Sequence, residues 1–308
     1  MKNLNGLIEN IIEYSYSNTN NSIINIAYGI DNNYVRCVAT SIVSFKINNF
    51  NKNFVFHILG YDISEDNKVH LKFLAKKYKI DIILYELNKV SFEDLPVTDY
   101  WSKAMYFRFI IPQILKKEEK VFYFDADIIC LKDASELFNI NLEEKIVGAV
   151  LDIKRVAKKK EKIFKLKGNS YFNSGMMVID IKKWNEYDIL PKVIKILQCN
   201  IKFTHPDQDA LNIVLKNNVK YLKTCFNCID IYSINKKNIV ILHFANHPKP
   251  WNKYWFLNVI HTSFTANLYS FYEKQTFFKD CKLDSFKNYK QLIKWWIKFI
   301  IFKVIKRV

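Results

Sequence analysis

Short apolar runs alternate with segments of helical periodicity through most of the chain. Segment Ser64–Tyr78 begins with Ser-Glu-Asp, a start suited to capping a helix, and Asp99–Leu115 carries apolar residues at helical spacing. Several other runs are apolar throughout, which is typical of strands covered on both faces. The predicted strands are Ser22–Tyr28, Phe54–Leu59, Ile80–Tyr85, Val121–Phe124, Ile146–Val150, Gly175–Ile181 and Asn238–His243.

Strands that alternate with helices predict an α/β fold, with a mainly parallel sheet flanked by helices. Ligands of such sheets bind outside the carboxyl ends of the strands. Here polar residues directly follow several predicted strands, so a site is expected at that edge. The basic stretch Lys154–Lys167 is predicted to be a loop, either a mobile flap or solvated surface.

The amino-acid composition excludes several classes of protein. Half of the residues are apolar, which is enough for a large core and excludes a disordered chain. Six glycines in 308 residues allow neither a G-x-G-x-x-G nor a G-x-x-x-x-G-K-[ST] pattern, so the signatures of Rossmann dinucleotide binding and of P-loops are absent. The 47 Lys and Arg residues against 30 Asp and Glu residues give a net charge of +17, which suggests a polyanionic partner.

The cysteines and the first residues indicate where the protein works. Cys225 and Cys228 have the spacing of half a zinc site, but no second pair accompanies them, so the 6 cysteines are predicted to be free thiols in a reducing compartment. Glu9 and Glu13 lie where a signal peptide has its apolar run. No uninterrupted apolar stretch reaches the about 18 residues that span a bilayer. The sequence predicts a cytoplasmic protein.

The segment Val121-Phe-Tyr-Phe-Asp-Ala-Asp127 carries the strongest chemical signal. Asp125 and Asp127 follow a buried strand with one small residue between them, and residues i and i+2 of an extended backbone point to the same side. Carboxylates in apolar surroundings need a partner, and Mn²⁺ or Mg²⁺ takes oxygen ligands of this kind. Taken alone, the pair is also compatible with two solvated acids at the end of a strand.

Four further segments place polar groups after a predicted strand, before one, as Tyr171–Gly175 does, or at the start of a helix. Asp31 and Asn33, after a strand that ends near Gly29, offer hydrogen-bonding groups for a base or a ribose. An anion or a sugar could approach the polar start of a helix after His205. The four segments are Ala27–Tyr34, Tyr171–Gly175, His205–Asn212 and Leu242–Trp251.

Together these segments resemble glycosyltransferase family 8, the retaining enzymes of GT-A fold that include glycogenin. The resemblance is strongest to the bacterial lipopolysaccharide core α-glucosyl- and α-galactosyltransferases. It implies a Rossmann-like nucleotide-diphospho-sugar transferase fold and extends over about residues 22 to 255. The motifs that carry it, in family order, are Tyr28–Asp31, Trp101–Phe109, Tyr123–Ile128, Tyr171–Gly175, Asp207–Asn212 and His243–Trp251.

The resemblance implies a UDP-glucose or UDP-galactose donor. It also implies a divalent metal, usually Mn²⁺, with Mg²⁺ as the alternative. It assigns residues to each part of the site. The metal ligands would be Asp125, Asp127 and His243. The nucleotide, its diphosphate and the donor sugar would contact Gly29, Ile30, Asp31, Asn33, Arg108, Asp125, Ala126, Asp207, Asn246 and Lys249. The residues around the reacting sugar would be Gln208, Asp209, Asn173 and Asp152.

One departure from the family pattern concerns Asn246, which stands where glycine is common. Asparagine is the usual substitute for glycine at positive φ, so the backbone amide there is expected to remain usable. Gln208 is a neutral amide and a poor nucleophile. Retention by same-face attack is therefore favoured over a covalent intermediate, which the sequence does not exclude.

Three regions are predicted: an extension over residues 1–21, a catalytic domain over 22–255, and a helical, basic and aromatic region over 256–308. From Lys287 to Val308 the chain has seven basic residues and no acid. This composition fits a helix lying on an anionic membrane, whereas the alternative is a terminal helix packed on the core. Membrane contact would place the enzyme peripherally at the cytoplasmic face, where a lipid-linked oligosaccharide acceptor is found. The basic residues are Lys287, Lys290, Lys294, Lys298, Lys303, Lys306 and Arg307.

The sequence leaves other functions open. The expected reaction moves glucose or galactose to a lipopolysaccharide or lipooligosaccharide core, and another glycan or a protein acceptor is the nearest alternative. A basic nucleic-acid-binding protein would explain the charge, but no binding motif is present and no nucleic acid is expected. A phosphoesterase with two metals could use Asp125 and Asp127, but it would need more ligands.

Overall fold

The computed structural model describes residues 6–17, 22–88, 95, 102–199, 203–260, 263–278 and 289–305. Eight strands form the main sheet, in the order β1-β4-β3-β2-β5-β8-β7-β9, and β6 and β10 form a separate antiparallel pair. The strands are β1 Ile8–Tyr14, β2 Ile23–Asp31, β3 Asn53–Tyr61, β4 Asp81–Leu87, β5 Lys120–Phe124, β6 Ile128–Cys130, β7 Val147–Leu151, β8 Phe172–Asp180, β9 Val219–Tyr221 and β10 Ile241–His243.

Helices cover both faces of the sheet, which confirms the predicted α/β class and the GT-A arrangement. The helices are α1 Val35–Asn48, α2 Glu65–Tyr78, α3 Ile111–Ile114, α4 Ser135–Phe138, α5 Lys154–Phe164, α6 Ile181–Glu186, α7 Ile189–Leu197, α8 Pro206–Val214, α9 Ser263–Glu273 and α10 Tyr289–Ile305. None of these helices is both long enough and apolar enough to cross a bilayer, a statement that holds for the described residues.

The sheet separates two apolar cores. In β5, Phe122 and Phe124 pack into one core, and Val121 and Tyr123 into the other. This alternation of side chains is the pleat of a strand that is buried on both faces. It explains why β5 is apolar at every position after Lys120, and it places Asp125 on the side of Tyr123.

The pairing of the strands decides which strand ends meet. β2, β3 and β4 run parallel, and β2 is also parallel to β5. β8 runs antiparallel to both β5 and β7, so the start of β8 lies at the edge where β5 and β7 end. Three segments that are far apart in the chain therefore meet at one edge of the sheet.

Three predictions of local structure were wrong. Lys154–Lys167 contains helix α5 instead of a loop, because Lys160 and Glu161 occupy buried positions and hide the apolar face of the helix from a pattern analysis. The helix predicted from Asp99 is a 3-10 segment, Lys103–Phe109, followed by α3 with Pro112 in its first turn; residues 99–101 lie outside the described part.

The third concerns the motif Tyr171–Gly175, which was expected to precede a strand. Its Asn173, Ser174 and Gly175 lie within β8, because the strand already begins at Phe172. The N-terminal extension also contributes to the sheet: β1 pairs antiparallel with β4 at the edge.

Candidate active site

The edge of the sheet at the end of β5 gathers the residues of the sequence motifs. Asp125 follows β5, and its backbone N–H donates to the carbonyl of Gly175 in β8 at 2.7 Å. Asp152 follows β7, and its N–H donates to the carbonyl of Tyr171 at 3.0 Å. His243 ends β10, which pairs with β6 so that His243 lies opposite Ile128 and next to Asp127.

Three side chains converge on one point. One atom from each of Asp125, Asp127 and His243 lies within 4.8 Å of the other two. His243 Nε2 is 3.2 Å from Asp127 Oδ1 and 3.8 Å from Asp125 Oδ2. A nitrogen and two carboxylate oxygens in this arrangement form a donor set that suits a divalent cation.

The second oxygen of each carboxylate is held by a different partner. Arg108 Nη2 and the Tyr123 hydroxyl each donate to Asp125 Oδ1 at 2.7 Å. Lys249 Nζ donates to Asp127 Oδ2 at 2.7 Å. The two carboxylates are therefore fixed with their other oxygens directed to the shared point.

These cations also decide the charge state of the site. Burial alone would raise the pKa of Asp127, but Lys249 and then His243 outweigh burial and hold the pKa of this carboxyl well below its usual range. Burial likewise opposes the charge of Arg108, but Asp125 and Tyr123 raise the pKa of the guanidinium above its ordinary value. Asp127 and Arg108 are thus ionised at neutral pH.

Asp207, in the first turn of α8, lies on the other side of Arg108. Its Oδ2 is 3.1 Å from Arg108 Nη1. Burial raises the pKa of Asp207 in spite of this guanidinium. Arg108 therefore joins two carboxylates, Asp125 and Asp207, across the floor of the site.

A row of amide side chains runs from Asp152 towards His243. Gln208 Nε2 donates to Asp152 Oδ2 at 2.7 Å, and Gln208 Oε1 accepts from Asn173 Nδ2 at 3.0 Å. Asn212 hydrogen-bonds the backbone of Phe172 and fixes α8 against β8. Three of the four residues that were predicted to surround the donor sugar are thus joined, because Asp152 and Asn173 each hydrogen-bond Gln208.

Asp209, the fourth, lies apart from this row and is completely buried. Its carboxylate accepts from Lys160 Nζ at 2.6 and 2.7 Å and from the Tyr171 hydroxyl at 2.5 Å. The backbone N–H groups of Thr204 and His205 donate to the same carboxylate. Asp209 is thus engaged in holding α5 and the start of α8 in place.

The residues that were predicted to bind the nucleotide lie at and after the end of β2, and they differ in their accessibility to solvent. Asp31 and Asn33 are accessible, and Asp31 Oδ1 accepts from the N–H of Asn33 at 3.0 Å. The Ile30 side chain lies in the core. A Cβ on Gly29 would lie 2.9 Å from the Ala104 carbonyl oxygen, so this glycine permits the close approach of the 3-10 segment.

The last motif brings Lys249 into the site, but Asn246 differs from expectation. Asn246 is absent from the residues with positive φ, so it does not need the conformation for which asparagine replaces glycine. Its carbonyl accepts from Asn258 Nδ2 at 3.3 Å. Ala126, between the two carboxylates, packs into the apolar core, which leaves only its backbone for ligand contact.

Sequence reasoning missed two residues of the site. The Tyr34 ring lies edge-on to Trp251 with centroids 6.3 Å apart, and burial followed by the nearby Asp127 carboxylate raises the pKa of the Tyr34 hydroxyl. Asn227 hydrogen-bonds His243. The position of Tyr34, directly after Asp31 and Asn33, is a signal in the sequence. Asn227 lies between Cys225 and Cys228, and no local pattern there indicates a contact with His243.

A family model for glycosyl transferase family 8 matches residues 25–254 and so includes every strand from β3 to β10. The chain belongs to glycosyltransferase family 8. It is a glycosyltransferase, as the motifs predicted.

Two relatives align with this chain over most of their length. The lipopolysaccharide 1,2-glucosyltransferase of Escherichia coli K12 is 31% identical over 264 residues, which cover 79% of this chain and 77% of that protein. The lipopolysaccharide 1,3-galactosyltransferase of Salmonella typhimurium LT2 is 30% identical over 266 residues, 80% of this chain and 79% of that protein.

The fold also resembles that of a solved glycosyltransferase structure. The galactosyltransferase LgtC, crystallised with donor and acceptor sugar analogues, superposes with a TM-score of 0.71 at 20% identity, over 82% of this chain and 96% of LgtC. This likeness confirms the predicted GT-A fold.

Proposed function

We propose that this glycosyltransferase moves glucose or galactose from a UDP-sugar to a sugar hydroxyl of a lipopolysaccharide or lipooligosaccharide core, with retention of the anomeric configuration. The observation that carries the proposal is the convergence of Asp125, Asp127 and His243 beside two cations, Arg108 and Lys249. This arrangement suits a metal-bound diphosphate next to the amides and carboxylates of a sugar pocket.

A divalent cation, Mn²⁺ or alternatively Mg²⁺, fits the donor set. Asp127 Oδ1 is buried and makes no hydrogen bond of good geometry to any described residue, and burying an ionised oxygen in that state is expensive. Gly175 leaves room beside the other two side chains, since a Cβ there would collide with His243 Cε1 and would lie 2.6 Å from Asp125 Oδ2. Held by Asp125, Asp127 and His243, the cation would stabilise the negative charge that develops on UDP.

Lys249 and Arg108 supply fixed positive charge for the leaving group. Both side chains are nearly inaccessible to solvent and are held by carboxylates, so little reorganisation is needed when the diphosphate departs. Asp31 and Asn33 offer hydrogen bonds to the base or the ribose at the other end of the nucleotide. The Tyr34 ring, between Asp31 and Trp251, offers an aromatic surface there.

The sugar pocket contains no carboxylate that is free to act as a nucleophile, a statement that applies to the residues assigned to it here. Gln208 is a neutral amide, and both oxygens of Asp152 accept hydrogen bonds, from Gln208 and from the N–H of Ile153. Asp209 is saturated by Lys160 and Tyr171. These contacts favour same-face attack, in which the departing phosphate takes the proton of the acceptor hydroxyl.

The donor hexose and the acceptor are proposed from the relatives. Two proteins of nearly equal identity, 31% and 30%, are named for transfer of glucose and of galactose, respectively, so both UDP-sugars are candidates. Both names specify lipopolysaccharide, which supports a lipid-linked core oligosaccharide as the acceptor.

We propose that the enzyme is attached peripherally to the cytoplasmic face of the inner membrane, and helix α10 supports contact with an anionic membrane surface. Its Trp295 is buried against the protein, whereas Ile293, Ile297 and Ile300 are 57%, 52% and 54% exposed on the opposite side. By helical spacing, Lys294 and Lys303 lie on opposite sides of this apolar stripe. A helix with an exposed apolar stripe and lysines at its border lies in a membrane surface without spanning it. Lys287, Lys306 and Arg307 lie outside the described residues.

The proposal is tested by UDP release from a panel of UDP-sugars, each with Mn²⁺ and with a chelator. We expect release from UDP-glucose or UDP-galactose only with the metal present. Addition of a truncated lipopolysaccharide core should then give an α-linked product. If the protein neither binds UDP nor releases it with any metal, the proposal is wrong.

A further inference from the structure

Asn227 is a buried side chain placed beside the metal ligands by backbone pairing. It follows a 3-10 turn, Thr224–Phe226, and precedes Cys228, which forms a parallel bridge with Leu242 of β10. The N–H of His243 donates to the carbonyl of Cys228 at 3.0 Å. The backbone thus carries Asn227 alongside His243.

The amide of Asn227 has one contact on each side. Its Oδ1 lies 2.9 Å from His243 Nδ1, and its Nδ2 donates to Asn173 Oδ1 at 2.9 Å. The side chain is only 2% exposed, so water cannot readily replace either partner. Asn227 therefore links the metal ligand His243 to the sugar pocket.

The direction of these hydrogen bonds is fixed by the backbone. The N–H of Gly175 donates to Asn173 Oδ1 at 3.0 Å, and a backbone N–H can only donate, so this atom of Asn173 is the oxygen. The Asn227 atom that faces this oxygen must then be the amide nitrogen. The oxygen of Asn227 is left facing His243 Nδ1, where it can only accept.

The rest of the amide row supports the same direction. The N–H of Ser174 donates to Gln208 Oε1 at 3.1 Å, which identifies that oxygen independently. Gln208 Nε2 in turn donates to Asp152, whose carboxylate can only accept. The row from Asp152 through Gln208 and Asn173 to Asn227 thus has a single consistent orientation.

This orientation places a proton on Nδ1 of His243, so Nε2 is the only ring nitrogen left to bind a cation. Because Asn227 accepts, Nδ1 donates, and Nε2 is the atom that faces Asp127 Oδ1 and Asp125 Oδ2. An imidazole lone pair beside two carboxylate oxygens is favourable only with a cation between them. Ligand histidines are commonly held in this way through their other nitrogen.

We propose that Asn227 is a positioning residue of the metal site, which holds His243 with its proton on Nδ1 and with Nε2 directed to a divalent cation. The proposal rests on the proposed function for the presence of a metal. It assigns to Asn227 a role through His243, with no contact of its own to the substrate.

The test compares three variants for binding of Mn²⁺, measured by electron paramagnetic resonance with UDP present. Asn227→Leu removes the acceptor at similar volume, and Asn227→Asp keeps an acceptor for Nδ1. The control is Asn49→Leu. Asn49 is also buried, and it hydrogen-bonds the backbone of Phe45 and of Ala134. It follows the last residue of α1, about 20 Å along the helix from the first residue of α1.

We expect Asn227→Leu to weaken Mn²⁺ binding about 10- to 100-fold. Asn227→Asp should restore most of the affinity, and Asn49→Leu should bind like the wild type. If Asn227 only supported Asn173, Asn227→Asp would not restore Mn²⁺ affinity, because aspartate cannot donate to Asn173 Oδ1. Wild-type affinity in Asn227→Leu, or equal losses in the leucine and aspartate variants, would overturn the proposal.

A second measurement reads His243 directly. In the Co²⁺-loaded protein, the Nδ1 proton of a histidine bound through Nε2 gives a strongly shifted proton resonance that disappears in D₂O. We expect this resonance in the wild type and in Asn227→Asp, and its loss by rapid exchange in Asn227→Leu. A wild-type protein that binds Co²⁺ through His243 without this resonance would disprove the assigned tautomer.

These readouts separate the two proposals. Wild-type protein that binds Mn²⁺ and shows the resonance, but releases UDP from no UDP-sugar, would contradict the proposed function and support the role of Asn227. UDP release with no bound metal would support a transferase and overturn the role of Asn227.

Discussion

At the scale of single residues, the site is built from side chains whose two polar ends face different partners. Asp125 faces Arg108 with one oxygen and the shared metal point with the other, and Asp127 does the same with Lys249. A residue type alone does not reveal this division of contacts. Gly175 matters through what it lacks, because its missing Cβ leaves the space beside His243 open.

Gly175→Ala is expected to abolish metal-dependent UDP release. The new methyl group would collide with His243 Cε1 and would lie 2.6 Å from Asp125 Oδ2, so the metal ligands would have to separate. The matched control is Gly168→Ala, where a Cβ would meet nothing within 4 Å. UDP release and Mn²⁺ affinity measured on both variants check this prediction, which fails if the two variants behave alike.

At the scale of elements, α5 and α8 are joined by a buried ion pair that the sequence concealed. Lys160 of α5 donates to both oxygens of Asp209 of α8. A lysine and a glutamate at inward positions made the segment look like a solvated basic loop. The pair holds the start of α8, and therefore Asp207 and Gln208, against the strand ends.

Lys160→Met should destabilise the fold by about 3–5 kcal/mol, because it leaves the completely buried Asp209 carboxylate without its cation. Lys158→Met, on the exposed side of the same helix, should change the free energy of unfolding by less than about 0.5 kcal/mol. Urea unfolding measures both values. Adding Asp209→Asn to Lys160→Met should recover part of the loss, and failure to do so would argue against the unpaired charge as its cause.

At the scale of the whole molecule, the main sheet separates two apolar cores, and the polar residues of the site lie at one edge of that sheet. The basic helix α10 follows the sequence motifs of the site. The net charge of +17 is spread along the chain, so charge by itself does not locate a partner surface. In α10 the lysines border an exposed apolar stripe, and this combination is what favours an anionic membrane over a soluble polyanion.

Replacement of both Ile293 and Ile297 by serine should weaken binding to vesicles that contain phosphatidylglycerol by about tenfold or more. Each replacement removes apolar surface that the isoleucine would bury in the membrane. The control is Ile163→Ser on α5, an isoleucine that is also exposed, 55%. Cosedimentation with vesicles measures the effect, and UDP release in solution should be unchanged. Equal binding by the double variant and the control would contradict attachment through α10.

The sequence by itself determined the class of fold, and it predicted the residues that converge at the end of β5. Buried strands need continuous apolar runs, and the polar residues that follow them stand out against those runs, as Asp125 and Asp127 do. Motif order over about residues 22 to 255 then identified the family, which the match to residues 25–254 confirmed.

Only the tertiary structure decided how these residues share their contacts. Whether Asp209 faces the substrate or Lys160 depends on which helix packs against it, and the spacing Asp207-Gln208-Asp209 is the same in both cases. Asn227 is joined to His243 by pairing of segments across 16 positions, and to Asn173 across 54. Such contacts are set by the packing of distant segments, which a local pattern of residues does not contain.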